Sequence, residues 1–462
     1  MDLSENKKTS VIAKFFAEKL WQSKSASAVA VDCHVVLIAI DGQKVLFTTL
    51  LLRMKYKIFG CKTNKYFTEK WLGSTFLKDK KGVFVASCVV TDKAKSKWIK
   101  FVKDEIKKLK EDEKVYISGC GSIKNGNVDK EFYSNYKELE SLKDKIVILG
   151  EEPKDDFGDK VKSIKDLFVK KFLVIQTGCD NFCTFCLTVS ARGGHKSRQK
   201  EEIIDEINDF LVSGGKEVVL TGINLGAWGA SSSNEFKNSK FCELLEEILQ
   251  KTKIERLKIS SLGVEFLDDR LFEILKSSRI CPHFHLSIQS GSDKILSKMN
   301  RHYDRAKIIR VLDKFKNLKR ENSVPISIGA DFIIGFPGET EHDFLDTFNL
   351  VKDFGISKVH AFTFSPHFNN NSQVPAGKMH NQIDEKIKKE RYLRLMKLAD
   401  EVRFDFKKSN VGKKLKLLVE KVNGDKFSGW SENYIELNET NFLSEEKDFK
   451  KGNIVDGIYD LD

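Results

Sequence analysis

The sequence is poor in proline and contains no low-complexity tract. Its 462 residues include six prolines, and no stretch is dominated by serine, glycine or any single residue, which argues against long disordered linkers. No internal repeat occurs at the periods of solenoid proteins. A chain of this length without linkers or repeats is expected to form two or three compact domains.

The apolar stretch at residues 35–52 suits neither a membrane span nor a secretion signal. Asp41, Gln43 and Lys44 interrupt it, so it cannot comfortably cross a bilayer. It also lies too far from the terminus and lacks the small-residue cleavage site of a signal peptide. We therefore expect a cytoplasmic protein without a membrane partner.

The chain has an excess of positive charge and an ordered distribution of cysteines. Lysine and arginine outnumber aspartate and glutamate by 79 to 67, which gives a net charge of +12. The excess favours a polyanionic partner, although a solvated basic surface would have the same composition. Six of the nine cysteines form two ordered sets, which indicates metal chemistry in a reducing compartment rather than disulfides.

Three cysteines stand close together after an apolar run. Cys179, Cys183 and Cys186 follow residues 172–175, which predict a buried strand ending in a loop. Thiolates are soft ligands that select iron–sulfur clusters, zinc or copper(I). Three of them hold three corners of a four-iron cluster and leave one iron open to a ligand. Zinc fingers usually present a second pair of thiols, which does not follow here, and three unrelated cysteines are the remaining alternative.

Three more cysteines each follow a predicted strand nearer the N-terminus. Apolar runs at 58–60, 83–87 and 115–119 precede Cys61, Cys88 and Cys120. Helical spacing between the last two runs predicts a parallel sheet covered by helices. Because the carboxyl ends of parallel strands share one edge, this fold can gather thiols that are far apart in sequence. A lone cysteine there is usually structural, but three in succession favour a second cluster site.

The strand–helix alternation continues in the central region. Strands are predicted at 172–177, 217–223, 256–261, 283–289, 326–334 and 358–364, with helices between them. Six such units predict a partial barrel whose active site lies at the carboxyl ends of the strands. The Cys179 loop lies at such an end, as do the loops at 221–224, 289–292 and 335–339. Each of these loops alone is weak evidence, since glycine and proline often only turn a chain.

The C-terminal region has a different pattern. A long basic helix is predicted over 384–408, and alternating apolar residues, a hairpin signal at 423–424 and a strand over 427–437 then predict a small all-β domain. Lysines around Trp430 and Tyr434 would suit RNA, because bases stack on exposed rings while lysines contact phosphates. That both rings belong to the core of a small domain is an equal alternative.

Together these features resemble the radical S-adenosylmethionine (SAM) methylthiotransferases. The matching segments are 60–64, 87–91, 119–121, 178–186 with 191–193, 286–292, 299–303 and 331–340. The resemblance implies an α/β protein with an N-terminal doubly wound parallel sheet over 54–160, a central partial (βα)6 radical SAM barrel over 165–405 and a small C-terminal all-β domain, called TRAM, over 410–462. Residues 1–53 precede the strand at which related enzymes typically begin, and we assign this extension no function.

Within the family, residues 220–226 and 431–434 resemble the branch that acts on threonylcarbamoyladenosine at position 37 of tRNA. The isopentenyladenosine branch usually has Gly-Gln-Asn near 221–224, and the branch that modifies an aspartate of a ribosomal protein has Gln-His where Gln289-Ser290 stands. The chain departs from the family at 263–265, His367 and 369–372, which concern substrate contacts and not cluster ligands. A zinc-stabilised RNA-binding protein without catalysis is the alternative of another class.

The resemblance also implies cofactors, site residues and partners. Cys179, Cys183 and Cys186 would hold the 4Fe-4S cluster that cleaves SAM to a 5′-deoxyadenosyl radical, which takes hydrogen from C2 of the substrate adenine. A second 4Fe-4S cluster on Cys61, Cys88 and Cys120 would supply the sulfur. Residues expected in the SAM pocket are Phe185, Gln289, Ser290, Asp331 and Glu339. The implied partners are tRNA and a one-electron donor such as flavodoxin or ferredoxin, with the enzyme acting as a monomer.

Overall fold

The computed structural model describes residues 54–153, 168–367, 374–446 and 449–461, together with the backbone of a short hairpin. The hairpin consists of β1 (Ile38–Ile40) and β2 (Gln43–Val45). The domain boundary expected between 160 and 165, most of the extension 1–53 and the departure at 369–372 lie outside the described residues. Every helix among the described residues is too short or too polar to cross a membrane.

The N-terminal region forms a four-stranded parallel sheet with helices on both faces. Its strands follow the order of the chain: β3 (Lys55–Ile58), β4 (Gly82–Ser87), β5 (Lys114–Gly119) and β8 (Ile146–Ile148), with β6 (Ile123–Lys124) and β7 (Asn127–Val128) as a hairpin after β5. The helices are α1 (Lys62–Leu72), α2 (Thr75–Lys78), α3 (Asp92–Ile106) and α4 (Phe132–Asn135). Successive side chains of a strand point to opposite faces, so Val85 packs with Trp98 of α3 and Phe84 packs with Trp71 of α1.

Six parallel strands form a partial barrel in the central region. Their order is β9 (Lys171–Thr177), β11 (Glu217–Gly222), β12 (Arg256–Ile259), β13 (His283–Gln289), β14 (Ser327–Ile334) and β15 (Lys358–Thr363), with β10 (Lys196–Ser197) antiparallel to β9. Two isolated bridges, Leu257 to Ile280 and Leu262 to Leu286, join β12 to β13. Each of the six predicted strands is present, within two residues at either end.

Helices surround the outer face of this barrel. They are α6 (Lys200–Val212), α7 (Phe241–Lys251), α8 (Asp269–Ile274), α9 (Asp293–Lys298), α10 (Arg305–Asn317), α11 (Glu341–Asp353) and α12 (Glu385–Ser409), whereas the short α5 (Thr188–Arg192) contacts the N-terminal domain. Alternate strand residues such as Leu257, Phe284 and Phe332 are fully or almost fully buried among them in one large apolar core. The opposite set of strand residues therefore points into the barrel lumen.

The C-terminal region is a five-stranded antiparallel sheet in the order β18-β17-β16-β20-β19. Its strands are β16 (Lys414–Asn423), β17 (Lys426–Ser431), β18 (Glu436–Asn438), β19 (Phe442–Leu443) and β20 (Ile454–Tyr459). The expected continuous strand over 427–437 is wrong, since a turn separates β17 from β18. Ser431 Oγ accepts a hydrogen bond from the Ile435 amide at 2.8 Å, and Tyr434 has a φ of 71°, which no strand accommodates. The predicted α/β fold class is confirmed.

The N-terminal and C-terminal domains close two openings of the barrel. Helix α1 packs against β9, with Tyr66 and Phe67 in the barrel's own apolar core. At the amino-terminal end of the strands, Arg256 donates to the carbonyl oxygens of Lys416 at 2.8 Å and Trp430 at 3.2 Å. The C-terminal domain therefore forms the floor of the lumen.

Candidate active site

Cys61, Cys88 and Cys120 follow the ends of β3, β4 and β5 on one edge of the N-terminal sheet. Gly60 has a φ of +104°, and a Cβ there would lie 3.0 Å from Cys88 Sγ. The absence of a side chain at Gly60 therefore leaves room for the Cys88 thiol next to Cys61. Burial, and then the neighbouring Cys120 and Cys61, raise the pKa of Cys88 to about 12. These three thiols, separated by many residues in sequence, lie close enough to interact.

The second set lies in the loop after β9. Gly178 has a φ of +67°, and a Cβ there would collide with the Gly194 carbonyl oxygen. The Cys186 amide donates to the Cys183 carbonyl at 3.0 Å, which curls the loop. Burial, followed by the charges of Cys186 and Cys183, raises the pKa of Cys179 to about 11. The closely spaced cysteines therefore converge as the sequence predicts.

The end of α9 and the residues that follow it, up to 303, hold this loop in place. Thr184 donates its amide to the Met299 carbonyl at 3.1 Å and its hydroxyl to the Lys298 carbonyl at 2.8 Å. Asn300, with a φ of 59°, donates to the Asn181 carbonyl at 2.9 Å. The Asn300 side-chain amide thus fixes the segment between Cys179 and Cys183.

The two cysteine sets face each other across the domain interface. Leu187, which follows Cys186, packs against Cys120 in a small apolar cluster. The amides of Asn125 and Gly126 donate to carbonyls of α5 at 2.8 and 2.9 Å. Burial raises the pKa of Cys120, and the charge of Cys186 contributes to the shift. The sets therefore line one site rather than two remote ones.

A buried arginine contacts each set. Arg192 Nε donates to Cys120 Sγ at 3.2 Å, and Arg301 Nη1 donates to Cys183 Sγ at 3.2 Å. Arg192 is held by Asn64 Oδ1 at 3.0 Å and by an ion pair with Glu151. A guanidinium beside a thiol stabilises the thiolate, which is the form that binds metal. Cys88, Cys120 and Cys183 are buried, and the other three cysteines are more exposed. Two groups of three thiols, each with a fixed cation beside one buried thiol, fit the anionic iron–sulfur clusters that the resemblance implies.

Four of the residues expected around SAM lie near the carboxyl ends of the barrel strands. Phe185 packs against an apolar cluster that includes Phe336. Gln289 ends β13 with a φ of 69°, and buried Ser290 Oγ accepts from the Ser292 amide at 3.2 Å. Glu339 Oε1 accepts from the Gly335 amide at 3.0 Å and from Arg391 Nη1 at 2.9 Å, so this carboxylate oxygen is already occupied by the protein.

The fifth residue, Asp331, lies deeper in the lumen. Its Oδ1 is 3.0 Å from His285 Nε2 and 3.4 Å from His360 Nδ1. Although burial raises the pKa of Asp331, the two histidines hold it below its usual range. The side-chain ligand atoms of these three residues lie within 4.8 Å of one another, as in a metal-binding set.

Trp430 and Tyr434 lie at the floor of the lumen. Tyr434 stacks on His283 with ring centroids 4.3 Å apart, and Trp430 stacks on Tyr434 at 4.5 Å. Both rings are half-buried. Their expected role in stacking RNA bases stays a prediction, and part of each ring face is covered within the protein.

Sequence reasoning missed several charged residues of the lumen. Glu217 is fully buried and lies 2.7 Å from Arg256 and 3.3 Å from Lys258. Although burial raises the pKa of Glu217, Lys258, Arg256 and Lys170 lower it to about 2. Burial, and then Lys258, lower the pKa of Lys62 at the start of α1 to about 8. The sequence feature that could have indicated these residues is the alternation of polar and apolar residues along β12 and β13.

Comparison with known proteins identifies the family. Residues 173–351 match the radical SAM superfamily. The threonylcarbamoyladenosine tRNA methylthiotransferase MtaB of Thermotoga maritima is 33% identical over 83% of this chain and 90% of its own length. The protein of the same name from Rickettsia prowazekii is 29% identical over 86% of this chain and 94% of its own. A tRNA-2-methylthio-N(6)-dimethylallyladenosine synthase of Clostridium botulinum is 36% identical over 62% of each chain. With the two facing cysteine sets, this similarity along nearly the whole length shows that the chain belongs to the radical SAM methylthiotransferase family.

Proposed function

We propose that this enzyme adds a methylthio group to C2 of N6-threonylcarbamoyladenosine at position 37 of tRNA. The proposal rests mainly on the similarity to the Thermotoga maritima enzyme, which extends over 83% of this chain and 90% of that enzyme's length. The facing arrangement of the two sets supports it, because a methylthiotransferase must bring a sulfur source and a SAM site to one substrate atom.

The two cysteine sets are assigned as cluster ligands. Cys179, Cys183 and Cys186 would hold the cluster that binds SAM, and Cys61, Cys88 and Cys120 the auxiliary cluster. When bound, the 4Fe-4S clusters and SAM supply the radical chemistry and the sulfur that protein side chains lack. Arg192 and Arg301 place positive charge beside one thiolate of each set and so offset the cost of burying anionic sulfur.

The surrounding residues position the cofactor and exclude water. Phe185 would cover the adenine of SAM, because it belongs to the apolar cluster beside the cysteine loop. Gln289 and Ser290 would contact SAM from the end of β13. Glu339 would act indirectly, by fixing the 335–339 loop through the Gly335 amide and Arg391. Asp331 would face the substrate in the lumen.

The partners follow from the same function. The substrate is tRNA, and a flavodoxin or ferredoxin would supply single electrons to a monomeric enzyme in the cytoplasm. Of the expected domains, 54–160 would supply sulfur, 165–405 would cleave SAM and 410–462 would contact RNA. Trp430 and Tyr434 would contact RNA through the edges left exposed at the floor of the barrel.

A second candidate is methylthiolation of dimethylallyladenosine. Relatives named tRNA-2-methylthio-N(6)-dimethylallyladenosine synthase are up to 38% identical to this chain, which is higher than its identity to the threonylcarbamoyladenosine enzymes. The relatives of this name match 54% to 62% of this chain, whereas two threonylcarbamoyladenosine relatives match 83% and 86% of it. The more complete match favours threonylcarbamoyladenosine.

Mass spectrometry of tRNA nucleosides tests the assignment. We expect the 2-methylthio form of threonylcarbamoyladenosine to vanish from a strain that lacks the gene. The wild-type chain should restore it, and both the Cys179→Ala variant and the combined Cys61, Cys88 and Cys120 alanine variant should not. The combined variant should still form 5′-deoxyadenosine, whereas Cys179→Ala should not. Loss of methylthio-dimethylallyladenosine instead would establish the second candidate.

A further inference from the structure

The lumen beneath the cysteine loops is strongly charged. Barrel interiors are usually filled by branched apolar side chains, but the inward positions of β11 to β14 here include Glu217, Lys258, His285 and Asp331. Most of these side chains are buried. Charged groups in such a place are costly unless they are paired or meet a ligand.

The charges of this lumen do not balance. Its interacting cations are Lys62, Lys65, Lys170, Arg256 and Lys258, and its interacting carboxylates are Glu217, Asp331, Glu420 and Glu432. Five cations against four carboxylates leave an excess of one positive charge. An anion entering from the mouth of the barrel would be stabilised by this excess.

Two lysines have spare hydrogen-bonding capacity. Lys258 is 5% exposed, and its Nζ has no hydrogen-bond partner among the described residues. Its nearest carboxylate, Glu217, is shared with Arg256 at 2.7 Å and Lys170 at 3.8 Å. Lys62 is half-buried at the first turn of α1, and it forms no ion pair or hydrogen bond with any of the described residues. Each ammonium can therefore donate to a ligand.

The histidines and Asp331 could suggest a metal site instead. Two imidazoles and a carboxylate are a familiar ligand set for divalent transition metals. A divalent cation would, however, lie beside Lys62, which interacts with Asp331 and His285, while Lys258 interacts with the neighbouring His283. The field of these lysines favours an anion, to which His285 and His360 could donate hydrogen bonds.

We propose that Lys62 and Lys258 bind the carboxylate of the threonyl substituent and thereby select threonylcarbamoyladenosine over dimethylallyladenosine. This inference rests on the proposed function. C2 of the adenine must lie at the cysteine loops, whereas the N6 substituent points away from C2. Four residues of strand separate Gln289 at the mouth from His285, so the charged side chains begin about 13 Å below the mouth.

The dimethylallyl group carries no charge. Its entry would exclude water from the half-buried Lys62 without giving either lysine a further partner, and sites built to bond a polar group reject analogues that lack it. The lumen therefore discriminates between the two substrates through the carboxylate.

Binding of anticodon stem-loop RNAs to the cluster-loaded enzyme tests this proposal. Fluorescence anisotropy would compare RNA bearing threonylcarbamoyladenosine with RNA bearing its uncharged carboxamide analogue. We expect wild-type enzyme to prefer the carboxylate about tenfold or more, the usual effect of one charge-assisted hydrogen bond. Lys62→Met and Lys258→Met should each remove most of this preference. Lys70→Met is the control, because Lys70 lies on the same helix but faces Glu206 at 3.7 Å.

Iron content and circular dichroism of each variant verify that it is loaded and folded. Equal affinity of wild-type enzyme for the two RNAs would overturn the carboxylate site, as would an undiminished preference in both lysine variants. Bound cobalt(II) that is lost on His360→Asn would show a metal site in its place. If wild-type enzyme methylthiolates threonylcarbamoyladenosine without this preference, only the inference fails. If it acts on dimethylallyladenosine alone, the proposed function fails as well.

Discussion

At the scale of single residues, the two arginines that touch the cysteines are the most informative contacts. Arg192 and Arg301 are both buried, and neighbouring side chains fix each of them: Asn64 and Glu151 hold the first, and Tyr303 holds the second at 2.9 Å. Hydrogen bonds to cluster sulfurs and nearby charge set reduction potentials. A fixed guanidinium favours the reduced cluster, because reduction adds negative charge.

We therefore predict that Arg192→Gln lowers the reduction potential of the auxiliary cluster. The expected change is tens of millivolts, since a one-electron couple shifts by about 59 mV for each tenfold change in equilibrium constant. Arg301→Gln should lower the potential of the SAM cluster in the same way. Potentiometric titration followed by electron paramagnetic resonance resolves the two clusters.

Arg198→Gln provides the matched control for this prediction. Arg198 lies at the same domain interface, but its guanidinium bonds Tyr66 at 3.0 Å and Glu206 at 3.0 Å rather than a thiol. Unchanged potentials in Arg192→Gln and Arg301→Gln, at full iron content, would falsify an electrostatic role for the arginines.

The cysteines could be predicted from sequence and the residues around them could not. Spacing and strand-end positions are local signals, and they located all six thiols that the structure gathers into two sets. Lys62 and Lys258 are almost two hundred residues apart, and only closure of the barrel by α1 brings their charges together. Arg192 was visible as part of a matching segment, but no local pattern shows that it reaches Cys120.

At the scale of elements, the junction between β3 and α1 sets the geometry of the auxiliary site. Gly60 turns the chain with a φ of +104°, and Cys61 then occupies the N-cap position of α1, where its side chain makes no capping hydrogen bond. A left-handed turn with no side chain lets Cys88 approach from the neighbouring strand. Helix α1 starts without an acidic residue in its first turn, so its positive end is open to an anionic cluster.

We predict that Gly60→Ala impairs loading of the auxiliary cluster. The added Cβ would lie 3.0 Å from both Cβ and Sγ of Cys88, and the strained φ would cost about 1–3 kcal/mol. Iron per chain should fall toward the content of one cluster, with formation of 5′-deoxyadenosine retained. Gly355→Ala is the control, because Gly355 also has a positive φ of +60° but nothing within 4 Å of an added Cβ. Full iron content in Gly60→Ala would contradict this account of the junction.

Element boundaries were predictable where periodicity is strong. The strand at His283–Gln289 has the bounds that its sequence predicts, because its turn signals are sharp. The strand expected over 427–437 fails because Ser431 caps the Ile435 amide with its side chain. The alternation of apolar residues gives no information about a hydroxyl that competes for backbone hydrogen bonds.

At the scale of the whole molecule, the C-terminal domain is structurally tied to the barrel. Arg256 bonds its backbone, and Tyr434 stacks on His283 beneath the lumen. Removal of this domain would expose buried charges, so loss of RNA binding on truncation could not be separated from damage to the barrel. Substitution of its exposed lysines tests RNA contact without disturbing the floor.

Lys421 and Lys426 are exposed on the β16–β17 hairpin, away from the buried residues of that domain. We predict that replacing both with alanine weakens tRNA binding and lowers the slope of log affinity against log salt by about 1 to 2, because each phosphate contact releases about 0.7 to 0.9 counterions. The Lys97→Ala, Lys100→Ala pair on α3 is the control, since these lysines are equally exposed but belong to the N-terminal domain. Filter binding from low to moderate salt gives both slopes, and 5′-deoxyadenosine formation should be unchanged in both variants. A slope lowered only by the α3 pair would move the RNA contact to the N-terminal domain, whereas a slope lowered equally by both pairs would mean that the net charge of +12 acts as a whole.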